Sequence, residues 1–366
     1  MQSKILIVYN VQNEDNLFVP LLYRTLQQLN PNIRCSQKEF WFTKEKTDII
    51  HFHWPEEVID WNCPETNTKI LQQLVDRITY FKSQGCKFIY TCHNLSPHHG
   101  NSIVSKAYRL IEENSDCIVH MGNYSYNILS QKYPEKIHMI IPHHIYENSY
   151  NEHISQAEAR RKLKIPINKT VITAFGSFRN IDEMSMVLKA YLKSNLRHKY
   201  LLAPRLYPFS KHPKKKPLKQ IMAWIFYQML IPVFNRFFNI QGGENDQIIS
   251  NDLLPYYLIA SDVVFIQRNK ILNSGNIPLA FLFQKVVIGP DCGNAGELLR
   301  KTGNPVFNPN AISSITAALQ NAITLNLQHQ GEANYQYALK HFNLEVTANQ
   351  YITIYHILQN SPNINQ

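Results

Sequence analysis

One short stretch, IIHFHWPEE at 49–57, ends an apolar run in side chains that can transfer protons. His53 can carry a proton near neutral pH, and Glu56 can act as a general base beside a reacting group. Trp54 offers a flat apolar face on which a ring can stack. These residue types predict a ligand-binding and proton-transfer site, and a solvated acid at the start of a helix is an equally good interpretation of Glu56.

A second stretch, TCHNLSPHHG at 91–100, repeats the pattern after the apolar run CKFIY. His93 and Asn94 follow the expected strand, where an imidazole can donate to a hydroxyl or shuttle a proton. We predict a catalytic role for His93 and ligand contacts for Asn94 and His98. A histidine whose nitrogens are satisfied by backbone groups is the alternative, and we favour that interpretation for His144.

The stretch AFGSFRN at 174–180 has the residue types of a turn that holds a phosphate. Gly176 and Ser177 let backbone N–H groups approach an anion closely, and the guanidinium of Arg179 matches phosphate oxygens. An ordinary strand-to-helix turn with a glycine explains the same residues, so this motif alone leaves both interpretations open.

A longer stretch, NSGNIPLAFLFQKVVIGPDCGNAGELL at 273–299, offers a second anion contact. Ser274, Gly275 and Asn276 precede a short apolar helix, whose first N–H groups attract phosphate. Glu297, expected in the first turn of the next helix, is either a favourable N-terminal acid or an acceptor for ligand hydroxyls. Neither G-x-G-x-x-G nor G-x4-G-K-[ST] occurs, which excludes the standard dinucleotide and P-loop motifs.

The composition is that of a basic, globular chain of two-domain size. With 366 residues, 44% of them hydrophobic, the chain can build two cores and does not belong to the disordered class. The formal net charge of +10 favours an anionic partner: a phosphate-bearing ligand, a membrane surface or nucleic acid. The 6 cysteines form no C-x2-C pair, which fits buried thiols in a reducing cytoplasm. Apolar residues begin at once in MQSKILIVYN, so we expect no signal peptide.

Apolar runs alternate with helical stretches along most of the chain, which predicts an α/β fold with parallel sheets. The expected strands are 4–9, 47–53, 87–92, 117–120, 137–141, 170–176, 199–203, 262–267 and 285–290. The stretch 142–155 lacks such runs and is typical of a linker. We therefore predict two similar domains, 1–150 and 151–340, followed by a carboxyl-terminal segment, 341–366. Ligands bind beyond the carboxyl ends of parallel strands, so we expect the motifs at the rim of an interdomain cleft.

The stretch 204–241 interrupts the alternation, because it is far longer than an ordinary connection between a strand and a helix. It begins with lysines and continues with apolar and aromatic residues through 221–238. Gln228, Pro232 and Arg236 interrupt the apolar part, so we do not expect a full membrane span. We favour a basic, amphipathic insert that lies on an anionic membrane over a core helix with a solvated lysine flank.

The ordered set of motifs resembles the GT-B glycosyltransferases, particularly bacterial enzymes of the glycosyltransferase family 4 type that build surface polysaccharides. The resemblance runs through DIIHFHWPE, YTCHNLSPHH, IIPHHIYENSY, FGSFRN and LPYYLIASDVVFI, and ends in NSGNIPLAFLFQKVVIGPDCGNAGELL, which is similar to the family's donor-domain signature. It implies two Rossmann-like domains facing a cleft, with a nucleotide-sugar donor on the carboxyl-terminal domain and the acceptor on the amino-terminal one. It also implies a last helix that crosses back onto the first domain.

Two departures separate this sequence from the family pattern. Many members carry the carboxylate pair E-x7-E, whereas the matching positions here are Ile271 and Leu279. Members often carry a lysine shortly after the arginine of the phosphate turn, whereas Asp182 and Glu183 occupy that neighbourhood here. By the resemblance, His93 matches the histidine near the floor of the cleft that contacts the donor sugar.

The resemblance and the motifs together yield a set of expected roles. We expect catalysis by His93 and, for an inverting reaction, by Glu56. We expect acceptor contacts from His53, Trp54, Asn94 and His98. We expect donor contacts from Gly176, Ser177, Arg179, Ser274, Gly275, Asn276 and Glu297.

We therefore predict a cytoplasmic enzyme, peripheral on the inner face of the cell membrane, that moves a sugar from a nucleotide diphosphate sugar to a hydroxyl of a lipid-linked glycan. No cofactor is expected, and the lack of an Asp-x-Asp motif argues against a metal-dependent reaction. Two alternatives stay open: a GT-B sugar-nucleotide epimerase, against which the apolar insert argues, and a non-catalytic GT-B-like binding or scaffold subunit. No motif supports nucleic-acid binding.

Overall fold

The computed structural model describes residues 3–12, 16–61, 63–97, 102–207, 229–242 and 249–361. The chain forms two compact units. The first contains Met1–Tyr146 and His341–Gln366, and the second contains Glu147–Lys340. The division after Tyr146 falls within the stretch 142–155 that lacks apolar runs.

The first unit is built on one parallel sheet. Its strands are β1 (Ile5–Val8), β2 (Ile33–Cys35), β3 (Ile49–Phe52), β4 (Lys87–Thr91), β5 (Cys117–His120) and β6 (Ile137–Ile140), in the order β2-β1-β3-β4-β5-β6. The connecting helices are α1 (Phe18–Leu29), α2 (Gln37–Phe42), α3 (Pro55–Ile59), α4 (Lys69–Ser83), α5 (Ser102–Asn114) and α6 (Asn123–Lys132). Every residue of β1, β3 and β5 is buried, because helices cover both faces of the sheet.

The second unit is built on another parallel sheet, whose strands are β7 (Thr170–Thr173), β8 (Lys199–Ala203), β9 (Ile240–Gly242), β10 (Val263–Phe265), β11 (Val286–Pro290) and β12 (Val306–Phe307). Their order, β12-β11-β10-β7-β8-β9, is that of a Rossmann fold. The helices are α7 (Gln156–Lys162), α8 (Ile181–Lys193), α9 (Ile231–Phe238), α10 (Leu254–Ala260), α11 (Asn276–Leu282), α12 (Gly293–Lys301), α13 (Ile312–Leu327) and α14 (Gln330–Phe342), whose last two residues belong to the first unit. The predicted α/β class with two parallel, helix-covered sheets is confirmed.

The described end of the stretch 204–241 belongs to the second unit itself. Ile231 of α9 is buried, and Phe234 and Phe238 pack against the same core. The chain then enters β9, which pairs with β8 at the edge of the sheet. This end therefore continues the alternation of strand and helix, and the sequence hides it because a three-residue strand leaves no recognisable apolar run. The predicted lysine flank lies within 208–228, outside the described residues.

The last helix, α15 (Leu344–Asn360), is part of the first unit and packs against α1. Tyr351, Tyr355 and Leu358 are buried in one cluster with residues of the sheet. The Tyr355 hydroxyl lies 2.9 Å from Nδ1 of His51, and the Tyr351 hydroxyl lies 3.2 Å from Oγ1 of Thr91. The carboxyl terminus therefore completes the core of the unit that the amino terminus begins. In the described ranges, no helix is long and apolar enough to cross a membrane.

Candidate functional site

Most side chains predicted to bind ligands lie where parallel strands end. Ligands of such sheets bind beyond the carboxyl ends of the strands, at the point where the strand order reverses. That point lies between β1 and β3 in the first unit and between β7 and β10 in the second. The first unit carries a histidine cluster (His51, His53, His93, His143 and His144), and the second carries an arginine site (Arg179, Arg205 and Arg268).

The histidine cluster packs around the ring of Phe18 at the start of α1. The ring centroids of His53, His93, His143 and His144 lie 4.5–5.8 Å from that of Phe18. Two predicted residues from neighbouring strands meet here, because Nδ1 of His53 is 3.0 Å from Nε2 of His93. A neutral pair at this distance shares one N–H group, so each ring fixes the orientation of the other.

Burial lowers the pKa of four imidazoles of the cluster, those of His51, His53, His143 and His144. Loss of water lowers the pKa of His51 to about 3. Burial, together with the neighbouring His51, His93 and His144, lowers the pKa of His53 well below its ordinary value. Nε2 of His53 is buried, and within the described part of the chain it has no hydrogen-bond partner. A proton added to His53 would therefore be costly, and the ring acts as a neutral support for His93.

Trp54 stacks on the imidazole of His93, with the ring centroids 3.8 Å apart. The residue is 8% exposed and packs in the core with Tyr9 and Phe18. Little of the indole face is left on which a sugar could stack. Its ring is therefore placed to orient His93, and the predicted acceptor contact of Trp54 stays a prediction.

Glu56 is buried rather than solvated, with 4% of its surface exposed. Its Oε1 atom accepts a hydrogen bond of 3.0 Å from the Tyr108 hydroxyl. Burial and the charge of Glu56 raise the pKa of Tyr108, which also hydrogen-bonds the side chain of Asn94. The structure thus connects two predicted residues, Glu56 and Asn94, through a tyrosine that sequence reasoning did not identify.

His144 has the backbone contacts expected of a structural histidine. Its Nε2 atom is 2.9 Å from the carbonyl oxygen of Phe18, and its Nδ1 atom is 2.7 Å from that of Ile145. His98 lies outside the described residues. Its predicted acceptor contact stays a prediction.

The two predicted phosphate stretches of the second unit come together. A Cβ atom placed on Gly176 would lie 2.7 Å from Nε2 of Gln267 and 3.0 Å from Nδ2 of Asn276. A side chain at this position would push aside the amide end of Gln267 or Asn276, so the glycine leaves room for both amides beside the turn after β7. Ser274 and Gly275 precede Asn276 at the start of α11 and are partly exposed.

The arginine site surrounds the glycine turn, and sequence reasoning identified only its first member, Arg179. Nη1 of Arg268 donates to the carbonyl oxygen of Ser177 at 2.7 Å and to Oε2 of Glu183 at 2.8 Å. The same Glu183 oxygen accepts the backbone N–H of Arg179 at 2.8 Å. Burial lowers the pKa of Arg268 to about 10, while Glu183 raises it and both Arg179 and Arg205 lower it. The guanidinium groups of Arg179 and Arg205 therefore lie near enough to Arg268 to disfavour its charge.

Sequence reasoning missed Arg205 and Arg268 because neither belongs to a glycine turn or a known phosphate motif. Arg205 follows β8 at the start of the stretch 204–241, and Arg268 follows β10. The only available signal was an arginine directly after a buried strand. Its meaning depends on which strands are neighbours, and strand order is a property of the folded sheet.

Glu297 lies in the second turn of α12, which corrects the expectation that it belongs to the first turn. The helix begins at Gly293, where φ is +61° and a Cβ atom would collide with the carbonyl oxygen of Ile271. Nδ2 of Asn294 donates to Oδ1 of Asn273 at 2.8 Å. These contacts fix the start of α12 against the stretch that precedes α11.

Neither region gathers the ligands of a metal site. In the part of the chain that the structure describes, no group of three or more His, Cys, Asp or Glu side chains is placed to hold a metal ion. All six cysteines are free thiols.

Comparison with known proteins identifies the fold. No family model and no curated protein matches the chain. Sucrose-phosphate synthase from Thermosynechococcus elongatus is similar in structure, with a TM-score of 0.67 and 15% identity over 97% of this chain and 99% of that one. HepE from Anabaena, in complex with UDP and glucose, has a TM-score of 0.64 and 13% identity over 97% of this chain and 100% of that one. A glycosyltransferase from Rickettsia africae has a TM-score of 0.58 and 16% identity, covering 95% of this chain and 84% of that one. At these identities the likeness is one of fold, and the chain has the two-domain α/β fold of the GT-B glycosyltransferases.

Proposed function

We propose that the protein is a glycosyltransferase that moves a sugar from a nucleotide diphosphate sugar to a hydroxyl of a glycan. The observation that carries this proposal is the glycine turn beside guanidinium groups at the switch point of the second sheet. Backbone N–H groups and guanidinium groups are the donors that bind phosphate in proteins. HepE, which has a similar fold, was solved with UDP and with UDP-glucose, so a UDP-sugar is the first donor to test.

In the proposed reaction, the oxygen of an acceptor hydroxyl forms a bond to the anomeric carbon while the bond from that carbon to the β-phosphate oxygen breaks. The electron pair of the broken bond stays on the diphosphate, and the hydroxyl proton passes to a base. Arg179 stabilises the negative charge that grows on the leaving diphosphate. Ser274, Gly275 and Asn276 lie beside the same turn and contribute further donor contacts, and Glu297 accepts from hydroxyls of the donor.

His93 and Glu56 are the proposed proton-transferring groups of the first unit. His53 and Trp54 hold the imidazole of His93 in one orientation, which favours a defined contact with the reacting sugar. For an inverting reaction, Glu56 is the base that accepts the hydroxyl proton. Asn94, connected to Glu56 through a tyrosine, contacts the acceptor.

We further propose a lipid-linked acceptor and attachment to the inner face of the cell membrane, in the synthesis of a surface polysaccharide. The outward face of α9 and of the two residues before it supports attachment, because Met229, Leu230, Val233 and Phe237 are 57%, 57%, 69% and 77% exposed. At helical spacing these four lie on one side, opposite the residues that pack into the core. An apolar face exposed to water, preceded in the sequence by the lysines of 211–219, is typical of helices that bind anionic membranes.

Attachment is tested with the variant Val233→Asn/Phe237→Asn, which leaves the buried face of α9 intact. We expect the variant to sediment with anionic liposomes much less than the parent, because apolar burial contributes about 25 cal/mol per Å². The matched control is Phe42→Asn, which removes a 74% exposed aromatic ring from the first unit. Equal sedimentation of parent and double variant would exclude this face as the attachment site.

The enzymatic proposal is tested by thermal melting of the full chain with a panel of nucleotide sugars, followed by a transfer assay with the donor that stabilises it. We expect a UDP-sugar to raise the melting temperature and UDP to be released when a glycan acceptor is added. Conversion of the donor sugar without an acceptor would indicate an epimerase instead. Binding without any turnover would indicate a non-catalytic subunit.

A further inference from the structure

Three adjacent strands of the second sheet are each followed by an arginine. β10, β7 and β8 are neighbours, and the chain leaves them towards Arg268, Arg179 and Arg205. Because the strands are parallel, all three arginines emerge at the same edge of the sheet. Arg268 contacts the turn that contains Gly176 through the carbonyl oxygen of Ser177, and Arg179 and Arg205 lie near enough to act electrostatically on Arg268.

The three arginines differ in how they are held. Arg268 is anchored, since its guanidinium donates to Ser177 and to the buried carboxylate of Glu183. Arg179 is exposed and Arg205 is half-buried, and among the described residues neither guanidinium has a hydrogen-bond acceptor. The anchored arginine contacts the backbone of the turn, and the other two keep their donors for a ligand.

Among the described residues, only one of the three arginines has a carboxylate partner, because Arg268 pairs with Glu183. Arg179 and Arg205 therefore contribute an excess of two positive charges that no described carboxylate pairs with. The diphosphate of a nucleotide sugar carries one negative charge on each phosphate, which matches the excess. The diphosphate that leaves gains one further negative charge, so surplus positive charge favours the transition state over the bound donor.

We propose that Arg205 is a second diphosphate-binding residue beside Arg179, and that the Arg268–Glu183 ion pair is a positioning device that holds the turn carrying Arg179. This inference deepens the proposed function and rests on it. Arg205 follows β8, the neighbour of β7 on the side opposite β10, and donates to the same diphosphate. One oxygen of Glu183 accepts hydrogen bonds from the backbone N–H of Arg179 and from the guanidinium of Arg268. This carboxylate therefore holds the backbone at Arg179 and the side chain of Arg268 together.

Arg205 is tested by calorimetric titration of the full chain with UDP, uridine and inorganic pyrophosphate. We expect Arg205→Gln to weaken UDP and pyrophosphate binding about 10- to 100-fold, the value of a hydrogen bond to a charged group, and to leave uridine binding unchanged. The affinity of Arg205→Lys for UDP and pyrophosphate should lie between those of the parent and Arg205→Gln, because lysine keeps the positive charge and lacks the planar, forked guanidinium. The matched control is Arg161→Gln, an exposed arginine at the end of α7, the helix that leads into the opposite end of β7.

The positioning role is tested by the variant Glu183→Gln. For this variant, the loss of a negative charge and the loss of positioning change the affinity for UDP in opposite directions. Removing a negative charge alone would tighten UDP binding. Loss of the ion pair that holds the turn should weaken UDP binding and leave uridine binding unchanged. Tighter UDP binding by Glu183→Gln would overturn the positioning role.

The outcomes separate this inference from the proposed function. If Arg205→Gln binds UDP and pyrophosphate like the parent while sugar transfer is present, the inference fails and the glycosyltransferase stands. If the parent binds pyrophosphate through Arg205 but binds no nucleotide sugar, the anion site stands and the proposed function fails. If the parent binds neither, both fail.

Discussion

The two strand-end regions have related topologies and opposite electrostatics. In the first unit, the ends of β3 and β4 carry imidazoles that are packed among aromatic rings and buried. In the second unit, the ends of β7, β8 and β10 carry guanidinium groups around a glycine turn. Loss of water acts on His51 in the first unit and on Arg268 in the second, and it leaves the imidazole neutral and the guanidinium charged.

The difference follows from the intrinsic pKa of each side chain. An imidazole titrates near neutral pH, so burial that lowers the pKa of His51 to about 3 removes its charge entirely. A guanidinium titrates so high that Arg268, lowered to about 10, is still charged. Histidines at a dry strand end therefore suit hydrogen bonding in the neutral form, and arginines suit a permanent countercharge for phosphate.

The largest expected effect separates the two regions by function. His93→Ala should lower turnover about 100-fold or more, the usual contribution of a proton-transferring group, and leave the affinity for UDP unchanged. The control His356→Ala removes an exposed histidine of α15 and should be silent in both assays. Should His93→Ala weaken UDP binding instead, the histidine cluster would belong to the anion site and the division between the units would be wrong.

The charged region should respond in the opposite way. Arg179→Gln should weaken UDP binding about 10- to 100-fold with little effect on uridine, because a hydrogen bond to a charged group is lost. Calorimetric titration of both ligands measures this directly, with the exposed Arg197→Gln as the control for net charge. Equal losses for UDP and uridine would mean that Arg179 shapes the nucleoside site and does not contact phosphate.

The neutral region should make the first unit sensitive to acid. Burial lowers the pKa of His51 and of His143 from 6.5 to about 3, so below pH 6.5 the unfolded chain binds protons that the folded unit does not. Full stability is present above pH 6.5, and the free energy of unfolding falls as the pH drops towards 3, by up to about 1.4 kcal/mol per pH unit for each histidine.

Urea unfolding followed by tryptophan fluorescence measures this, because Trp41, Trp54 and Trp61 belong to the first unit. The variant His51→Gln should show a smaller dependence on pH than the parent. A stability that does not change between about pH 7.5 and about pH 5.5 would show that the histidines are not buried and neutral in solution.

The smallest expected effect concerns the support of the histidine cluster. Tyr355→Phe removes the hydroxyl that contacts Nδ1 of His51 and should lower the free energy of unfolding by about 1 kcal/mol, the usual value of a hydrogen bond. UDP binding should be unchanged, since the affected contact lies within the first unit. The control Thr353→Ala removes an exposed hydroxyl of the same helix. If it lowers the free energy of unfolding as much as Tyr355→Phe does, the buried contact with His51 contributes no more to stability than an exposed one.

The general plan of the fold follows from the sequence because long apolar runs have one stable arrangement. Strands such as β3, β4 and β11 are mostly apolar and almost completely buried, which a parallel sheet covered on both faces provides. The short strands β2, β9 and β12 escaped prediction because two or three residues carry no periodic signal. They form strands because a neighbouring strand offers its unpaired backbone groups.

The sequence by itself determined which chemical groups stand at the strand ends: the imidazoles of His53 and His93, and Arg179 after its glycine turn. These were predictable because each motif directly follows an apolar run, a relation that is local in the chain. Only the tertiary structure decided which groups meet. Arg205 and Arg268 join Arg179 because β8 and β10 flank β7, and Trp54 became a support for His93 because its ring is buried against it. The physical reason is that strand order and burial come from packing between distant segments, and that packing decides which groups become partners and which imidazoles lose their charge.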